Sequence, residues 1–419
     1  MTKNLKRLLS VALSVISILS AQARHQILAP NFKTLQVVVN QQWTSLPVMM
    51  LHSADLLHLD FDELSHDYHR LTCHLEHCNP DWTPTDGLFE SDWLEGFNDL
   101  VIDDYEPSLN TTVLYTHYHY QLPNDQQRLK LSGNYRLHVI DEDDNQNEVI
   151  CIEFRVVDEK MNVGMSVTTN TDVDHNRRYQ QLSMTVNYNS LRVTNADDQL
   201  QVFVMQNQRE DTMRDNPRPN FITPQGLRWE HNRDLIFEGG NEYRKFEMLD
   251  VSHPTMGLEH MVWNDELRRY EAYPFICEPR RHYVYDEDAD GAFYIRNSDN
   301  IENNRISDYV WVNYKLAPAQ YYENGRMMVD GQWATESPET YVMSYDAADR
   351  SYNATIMQKQ GYYNYRFFLN ASDGTTQVVP EEGSFYQTEN RYQAFVYYRP
   401  DGARSWQLSG YNEIVFRVR

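Results

Sequence analysis

The sequence predicts an all-β chain of three consecutive β-sandwich or immunoglobulin-like domains, with a short helix in the first. Three observations lead there. Short runs of alternating apolar and polar residues recur in every third of the chain. Aromatic residues make up 13% of it, including 29 tyrosines. Polar turn clusters such as DEDDNQN (141–147), DEDADG (286–291) and ASDG (371–374) separate the runs. Period-two alternation rich in aromatic and β-branched side chains describes half-buried strands. Many such strands with few helical stretches describe stacked sandwiches.

The elements follow in chain order. Residues 1–23 read as a cleaved secretory signal. Lys3, Lys6 and Arg7 precede a short apolar run, Leu8 to Leu19, and Ala21-Gln22-Ala23 supplies a small-x-small cleavage site. That run is too short for a stable anchor, and no cysteine stands at the junction for lipid attachment. The mature chain is expected to begin at Arg24. No other apolar run is long enough for a membrane-spanning helix, so no direct membrane anchor is expected.

A first domain, 24–160, carries the strands LLHLDFDEL (56–64) and YRLHVID (135–141) and closes with EVICIEFRVVDEK (148–160). Within it, FESDWLEGFNDLVI (89–102) places Phe89, Trp93, Leu94, Phe97, Leu100 and Val101 at helical spacing, which predicts a short helix. A second domain, 161–305, holds QLQVFVMQN (199–207) and the Pro-rich loop DNPRPNFITPQG (215–226). The polar stretch SDNIENNRISD (298–308) reads as a linker. The last domain, 306–419, contains YVWVNYKL (309–316), YNYRFFL (363–369) and AFVYYR (394–399) and has the look of an early-set immunoglobulin-like unit.

Composition limits the function. The net charge is −24, and removing the three leader cations leaves about −27. Nucleic acid and anionic lipid both call for a basic face, so neither is an expected partner. Four cysteines, Cys73, Cys78, Cys151 and Cys277, are too few for a disulfide-built scaffold. An exported chain has room for one bridge, but its pairing is not readable from sequence.

The stretch RLTCHLEHCNPDW (70–82) gathers Cys73, His74, His77 and Cys78. As a strand it puts Cys73 and His77 on one face, with His74 and Cys78 on the other. At about 3.3 Å per residue, Cys73 and His77 lie roughly 13 Å apart, whereas zinc bonds are about 2.0–2.3 Å long. The same straight strand keeps Cys73 and Cys78 beyond disulfide reach. The expectation is a structural strand, with Cys73 in the core and Trp82 packing just beyond. Asp286, Asp288, Asp290 and Gly291 resemble the start of a calcium loop, but the twelfth position is Asn297 where a bidentate Glu is needed. A hairpin turn is expected instead. In TVLYTHYHYQLPN (112–124), His117 and His119 alternate with Tyr118 and Tyr120, which fits a strand with one wet face. No nucleophile elbow, zincin, phosphate-loop or dinucleotide motif occurs. Catalytic residues, metal ligands and cofactors are therefore all expected to be none, and the protein is not expected to be an enzyme.

An ordered series of segments resembles a known family. HCNPDW (77–82), WLEGF (93–97), DYEPSLNTTVLYTHYHYQLPN (104–124) and LSGNYRLHV (131–139) resemble the N-terminal domain of the type IX secretion system plug protein of Bacteroidota. FEGGNEYRKFEMLD (237–250), DYVWVNYKL (308–316), KQGYYNYRF (359–367) and EEGSFYQTENRYQAFVYYR (381–399) continue the resemblance over nearly the whole mature chain. It implies a periplasmic protein that binds the periplasmic opening of the outer-membrane translocon barrel and keeps it shut. His77, Cys78, Asn79, Asp81 and Trp82 carry over as a fold signature, and no catalytic residue carries over. Phe385 is a modest departure within the EGS-x segment.

The alternative reading is a secreted or periplasmic glycan-binding β protein. Residues 329–370 resemble early-set modules that include starch-binding domains, and Trp311 with Trp333 would supply a stacking platform. Such a platform needs two coplanar exposed rings in a groove. The expectation favoured here is that Trp333 fills a loop and Trp311 the core.

Overall fold

The computed structural model describes residues 25–318, 320–372 and 374–418. The leader expected at 1–23 lies outside them. The all-β class holds. Among the described residues, the α-helices Glu90–Trp93, Ala196–Gln199 and Asn303–Ile306 have four residues each. No helix among them is long and apolar enough to cross a membrane.

The first unit is a two-sheet sandwich. One sheet runs in the order His25–Ile27, Asn147–Val157, Gly133–Asp141, Leu71–Cys78, Leu100–Val101, and Val48–Met50 pairs parallel to Asn147–Val157. The facing sheet runs Phe32–Val39, Leu57–Glu63, Thr116–Leu122, Asp104–Pro107. Alternation decides what lies between them. Leu57, Leu59 and Phe61 from one strand and Tyr118, Tyr120 and Leu122 from its neighbour enter one core with Leu71, Cys73 and Leu75. Fully burying a large apolar side chain contributes about 1.5–3 kcal/mol, so this pattern fixes which face of each strand turns inward.

The second and third units do not follow one another along the chain. The second core joins Met161, Val163, Met184, Trp229 and Phe237 to Tyr392, Ala394 and Val396. Its sheet pairs Leu200–Gln206 with Asn390–Tyr398, which in turn pairs with Gln407–Phe416. The third core runs from Phe246 to Val379. Its central strand, Gly361–Ala371, pairs with Arg244–Met248, Phe293–Ile295, Gly325–Asp330 and Thr376–Val378. The expected boundary at 305/306 is therefore corrected. The third unit is an insertion within the second, and the last two strands return to complete the second. Local alternation identifies strands but carries no information about which distant strands pair.

Three local expectations also change. The helix expected over 89–102 spans only Glu90–Trp93, and strands Leu94–Gly96 and Leu100–Val101 follow. Trp93 and Leu94 are buried, but Phe89 and Phe97 stand 73% and 70% exposed, so the spacing did not mark a helical core face. Residues 286–289 are irregular and Asp290-Gly291 make a turn that joins no hairpin, because the strand that follows, Phe293–Ile295, pairs with Gly361–Ala371. The linker expected at 298–308 is docked. Ser307 and Asp308 are buried, and Asp308 Oδ2 accepts from Thr112 N at 2.8 Å and Thr112 Oγ1 at 2.7 Å.

Candidate functional site

The inward turn of Leu57, Leu59 and Phe61 sends His58, Asp60 and Asp62 to the other face of their strand. Tyr118 and Tyr120 do the same for His117 and His119. The register sets Asp62 directly opposite His117 and Asp60 opposite His119. This face is only partly wet: the third unit covers its end at Asp62 and His117, while Asp60 and His119 stay 19% and 26% exposed. Lys359 crosses from that unit and donates to Asp62 Oδ2 at 2.6 Å, with the two side chains 1% and 0% exposed. Tyr309 Oη donates to the same oxygen at 2.7 Å. His117 Nδ1 lies 2.7 Å from Asp62 Oδ1, and His119 Nδ1 lies 2.9 Å from Asp60 Oδ1. Lys359 also donates to the Asn304 carbonyl at 2.7 Å and sits 4.0 Å from the Tyr115 ring centroid.

The electrostatics follow from burial and pairing. Burial alone raises a carboxyl, but at Asp62 the Lys359 charge and the His117 bond outweigh it and hold the group below the usual range. Burial is likewise outweighed at Asp60, by the hydrogen bonds and charges of His117 and His119. The His117 imidazole is raised, because its bonds to Asp60 and Asp62 overcome its burial. His119 is raised chiefly by its bond to Asp60. His58 is lowered by burial and by the His119 charge, and the two rings stack with centroids 5.4 Å apart. A buried charge costs several kcal/mol unless it is paired, so the seam tolerates only one relative placement of the two units. A pocket beside it is lined by Trp43, His58, His119, Tyr294 and Asn304. The Thr34 hydroxyl at the seam is 2.6 Å from Tyr309 Oη. The arrangement acts as a clamp.

Other contacts join the units in the same way. Arg155 of the first unit lies over the Phe395 ring at 4.4 Å and donates to Tyr397 Oη at 3.3 Å. Val157, Phe203, Met205, Phe395 and Tyr397 form a small core across that junction. Arg391 meets Asp290 at 3.3 Å between the second and third units.

The residues singled out from sequence fall as follows. Leu71–Cys78 is a strand, with Cys73 in the core and His77 on the same side. His77 Nδ1 is 2.9 Å from Thr85 Oγ1, and burial pulls its imidazole down to about 4. All four cysteines are free. Trp82 is not part of the Cys73 core but lies against the Arg155 guanidinium, 4.9 Å away. Asp286 pairs with Lys245 at 2.6 Å, and Asp288 accepts from the backbone N–H of Tyr243 and of Asp290. Burial pushes Asp288 up to about 8, with Asp290 adding to the shift. Trp333 is core, stacked on Tyr314 at 5.9 Å and donating to the Asn364 carbonyl at 2.8 Å. Trp333 stands on the loop after Gly325–Asp330 as expected, although its ring enters the core, whereas Trp311, expected in the core, is half-buried on strand Tyr309–Leu316 with the Arg269 guanidinium 5.0 Å from its ring.

The segments that carry the family resemblance meet in space. Asn134 of LSGNYRLHV donates to the Asn79 carbonyl of HCNPDW at 3.1 Å. Gly239 of FEGGNEY packs so closely on EEGSFY that a Cβ there would lie 2.1 Å from the Phe385 carbonyl oxygen. Sequence reading missed Asp60, Asp62, Asp308 and Lys359. The available signal was a charged stripe in HLDFD matched by a histidine stripe in THYHY, with a single lysine in KQGYYNYRF.

Comparison with known proteins adds the identity of the first unit. Residues 32–158 match the family described as type 9 secretion system plug protein 1st domain. A crystal structure of a hypothetical protein from Parabacteroides merdae ATCC 43184 superposes with a TM-score of 0.89 at 33% identity, covering 94% of this chain and 99% of that one. Trypsin-activated alpha-2-macroglobulin from Escherichia coli aligns over 92% of this chain and 29% of that chain, but at 8% identity and a TM-score of 0.17 it carries no argument. No curated protein matches the chain. Neither the family nor the Parabacteroides structure indicates an enzyme.

Proposed function

Because this chain belongs to the type 9 secretion system plug protein family, we propose that it is a periplasmic plug that docks on the periplasmic opening of the outer-membrane translocon barrel and occludes it. The family match over 32–158 is the observation that carries this reading. In it the protein is exported by the signal at 1–23 and held at the inner side of the outer membrane through its partner alone.

The physical requirements of a plug agree with the build of the molecule. Occluding a wide pore takes a body that does not deform when pressed against it. The buried Lys359–Asp62 seam and the small core around Phe395 weld the units into such a body. Release on arrival of cargo takes an interface that is polar and reversible rather than obligate, and a strongly acidic surface suits that. The protein acts by binding, not by turnover. The glycan-binding alternative loses its platform, since Trp333 is 7% exposed and cannot stack on a sugar beside Trp311.

Affinity purification from native membranes tests the reading. The protein is expected to bring down the translocon barrel without crosslinking. Failure to do so from membranes that contain both would remove the proposal.

A further inference from the structure

The outer face of the first unit's larger sheet carries a cluster of side chains with metal-ligating chemistry. His138 lies on the central strand Gly133–Asp141, directly opposite Cys151 on one neighbour and opposite His74 on the other. Their chain neighbours Leu137, Val139, Ile150 and Ile152 all turn into the core, which fixes His138 and Cys151 on the outer face. Glu148 joins them through a bulge. The register steps from Val139↔Ile150 to Ile140↔Glu148, leaving Val149 as the extra residue. Val149 and Ile150 are both buried, and Glu148 emerges beside Cys151 although it is three positions away. One ligand atom from each of His138, Glu148 and Cys151 lies within 4.8 Å of the other two.

We propose that His138, Glu148 and Cys151 form a binding site for a divalent cation of the zinc class. A thiolate, an imidazole and a carboxylate together are a donor set for zinc, at bond lengths of about 2.0–2.3 Å. Tetrahedral ligands at those lengths stand roughly 3.5 Å from one another. The 2.6 Å pair of Glu148 and His138 Nδ1 therefore opens by about an ångström through rotation of the 40% exposed Glu148 side chain, while the other two separations, at most 4.8 Å, close toward the same value. On binding, the Cys151 S–H bond breaks, the sulfur–metal bond forms and the proton passes to solvent. His74 stands beside the group, its ring centroid 6.4 Å from that of His138. Its Nδ1 is held by Asp99 at 2.7 Å, the carboxylate–histidine pairing that orients imidazoles at metal centres, which leaves Nε2 as the donor for a fourth position.

A second group, His69, Asp141 and Asp143, is equally compact but differently occupied. Asp141 Oδ1 accepts from Asp143 N at 2.9 Å, and Asp143 Oδ2 from Arg70 N at 2.8 Å, so these carboxylates build the turn they sit in.

Cobalt(II) titration of the full chain, purified without a histidine tag, tests the site. One equivalent of cobalt should produce a thiolate-to-cobalt charge-transfer band that zinc abolishes by displacement. Cys151→Ser should remove the band, and His138→Ala and Glu148→Gln should each weaken zinc binding at least tenfold. His231→Ala, at an exposed histidine of the second unit, should change nothing. Glu148→Gln alters a surface side chain and keeps the test valid if Cys151→Ser does not fold. No charge-transfer band in the wild type, a band that survives Cys151→Ser, or unchanged zinc affinity in Glu148→Gln would each overturn the site.

Discussion

Lys359 of the third unit and Asp62 of the first meet across a dry interface, Nζ to Oδ2 at 2.6 Å, and each is the other's principal counter-charge. Removing one partner strands the other in a medium that cannot solvate it. Lys359→Met is therefore expected to destabilise the protein by about 3–5 kcal/mol. Asp62→Asn combined with Lys359→Met should cost less than the two single changes added together. Urea unfolding of the four proteins measures this, and strict additivity would contradict a direct pair.

The same seam predicts the pH dependence. Asp60 and Asp62 are depressed in the folded state, so their contribution is present above the unfolded carboxyl value of about 3.9 and is lost as pH falls toward their folded values. His117 and His119 are raised, so theirs is complete below the unfolded imidazole value of about 6.5 and is lost as pH rises through the folded values. Thermal denaturation followed across pH should show both limbs. Asp60→Asn removes the anion that raises His119 and one of the two that raise His117, and should shrink the alkaline limb, leaving the part due to Asp62 and to Asp288. An unchanged alkaline limb in that variant would show that another group is responsible.

Much of the first unit is legible in sequence, because Leu59 and Phe61 against Tyr118 and Tyr120 spell out both the strands and their inward faces. The seam is not. Asp60 and His117 alternate outward as solvent-facing residues do, and alternation cannot distinguish water from a second domain packed on that face. The insertion of the third unit is hidden for a related reason. Leu200–Gln206 and Asn390–Tyr398 each look like a strand, but nothing local to either names the other as its partner. Phe89 and Phe97 mislead in the opposite direction. They are apolar at helical spacing, yet neither packs into the core.

Trp333 tests the sugar-binding alternative. It stacks on Tyr314 inside the third core, so Trp333→Ala is expected to cost about 3–5 kcal/mol through lost burial and cavity formation. Trp311→Ala should leave any response on a glycan array unchanged. A Trp333→Ala protein of wild-type stability that had lost binding to an arrayed glycan would revive that reading.

The four thiols are free, and burial raises those of Cys73 and Cys277. Ellman's reagent at neutral pH should leave these two unmodified in the native protein. In denaturant without reductant all four should react. Fewer than four under denaturing conditions would reveal a disulfide absent from this structure.

Pore conductance tests the central claim most directly. The purified translocon barrel, freed of its plug and reconstituted in a planar bilayer, provides an open channel. Adding this protein to the periplasmic side should lower the conductance toward baseline with a saturable concentration dependence, and adding it to the opposite side should have no effect. A conductance that stays unchanged at saturating protein, or falls equally from either side, would contradict the plug assignment.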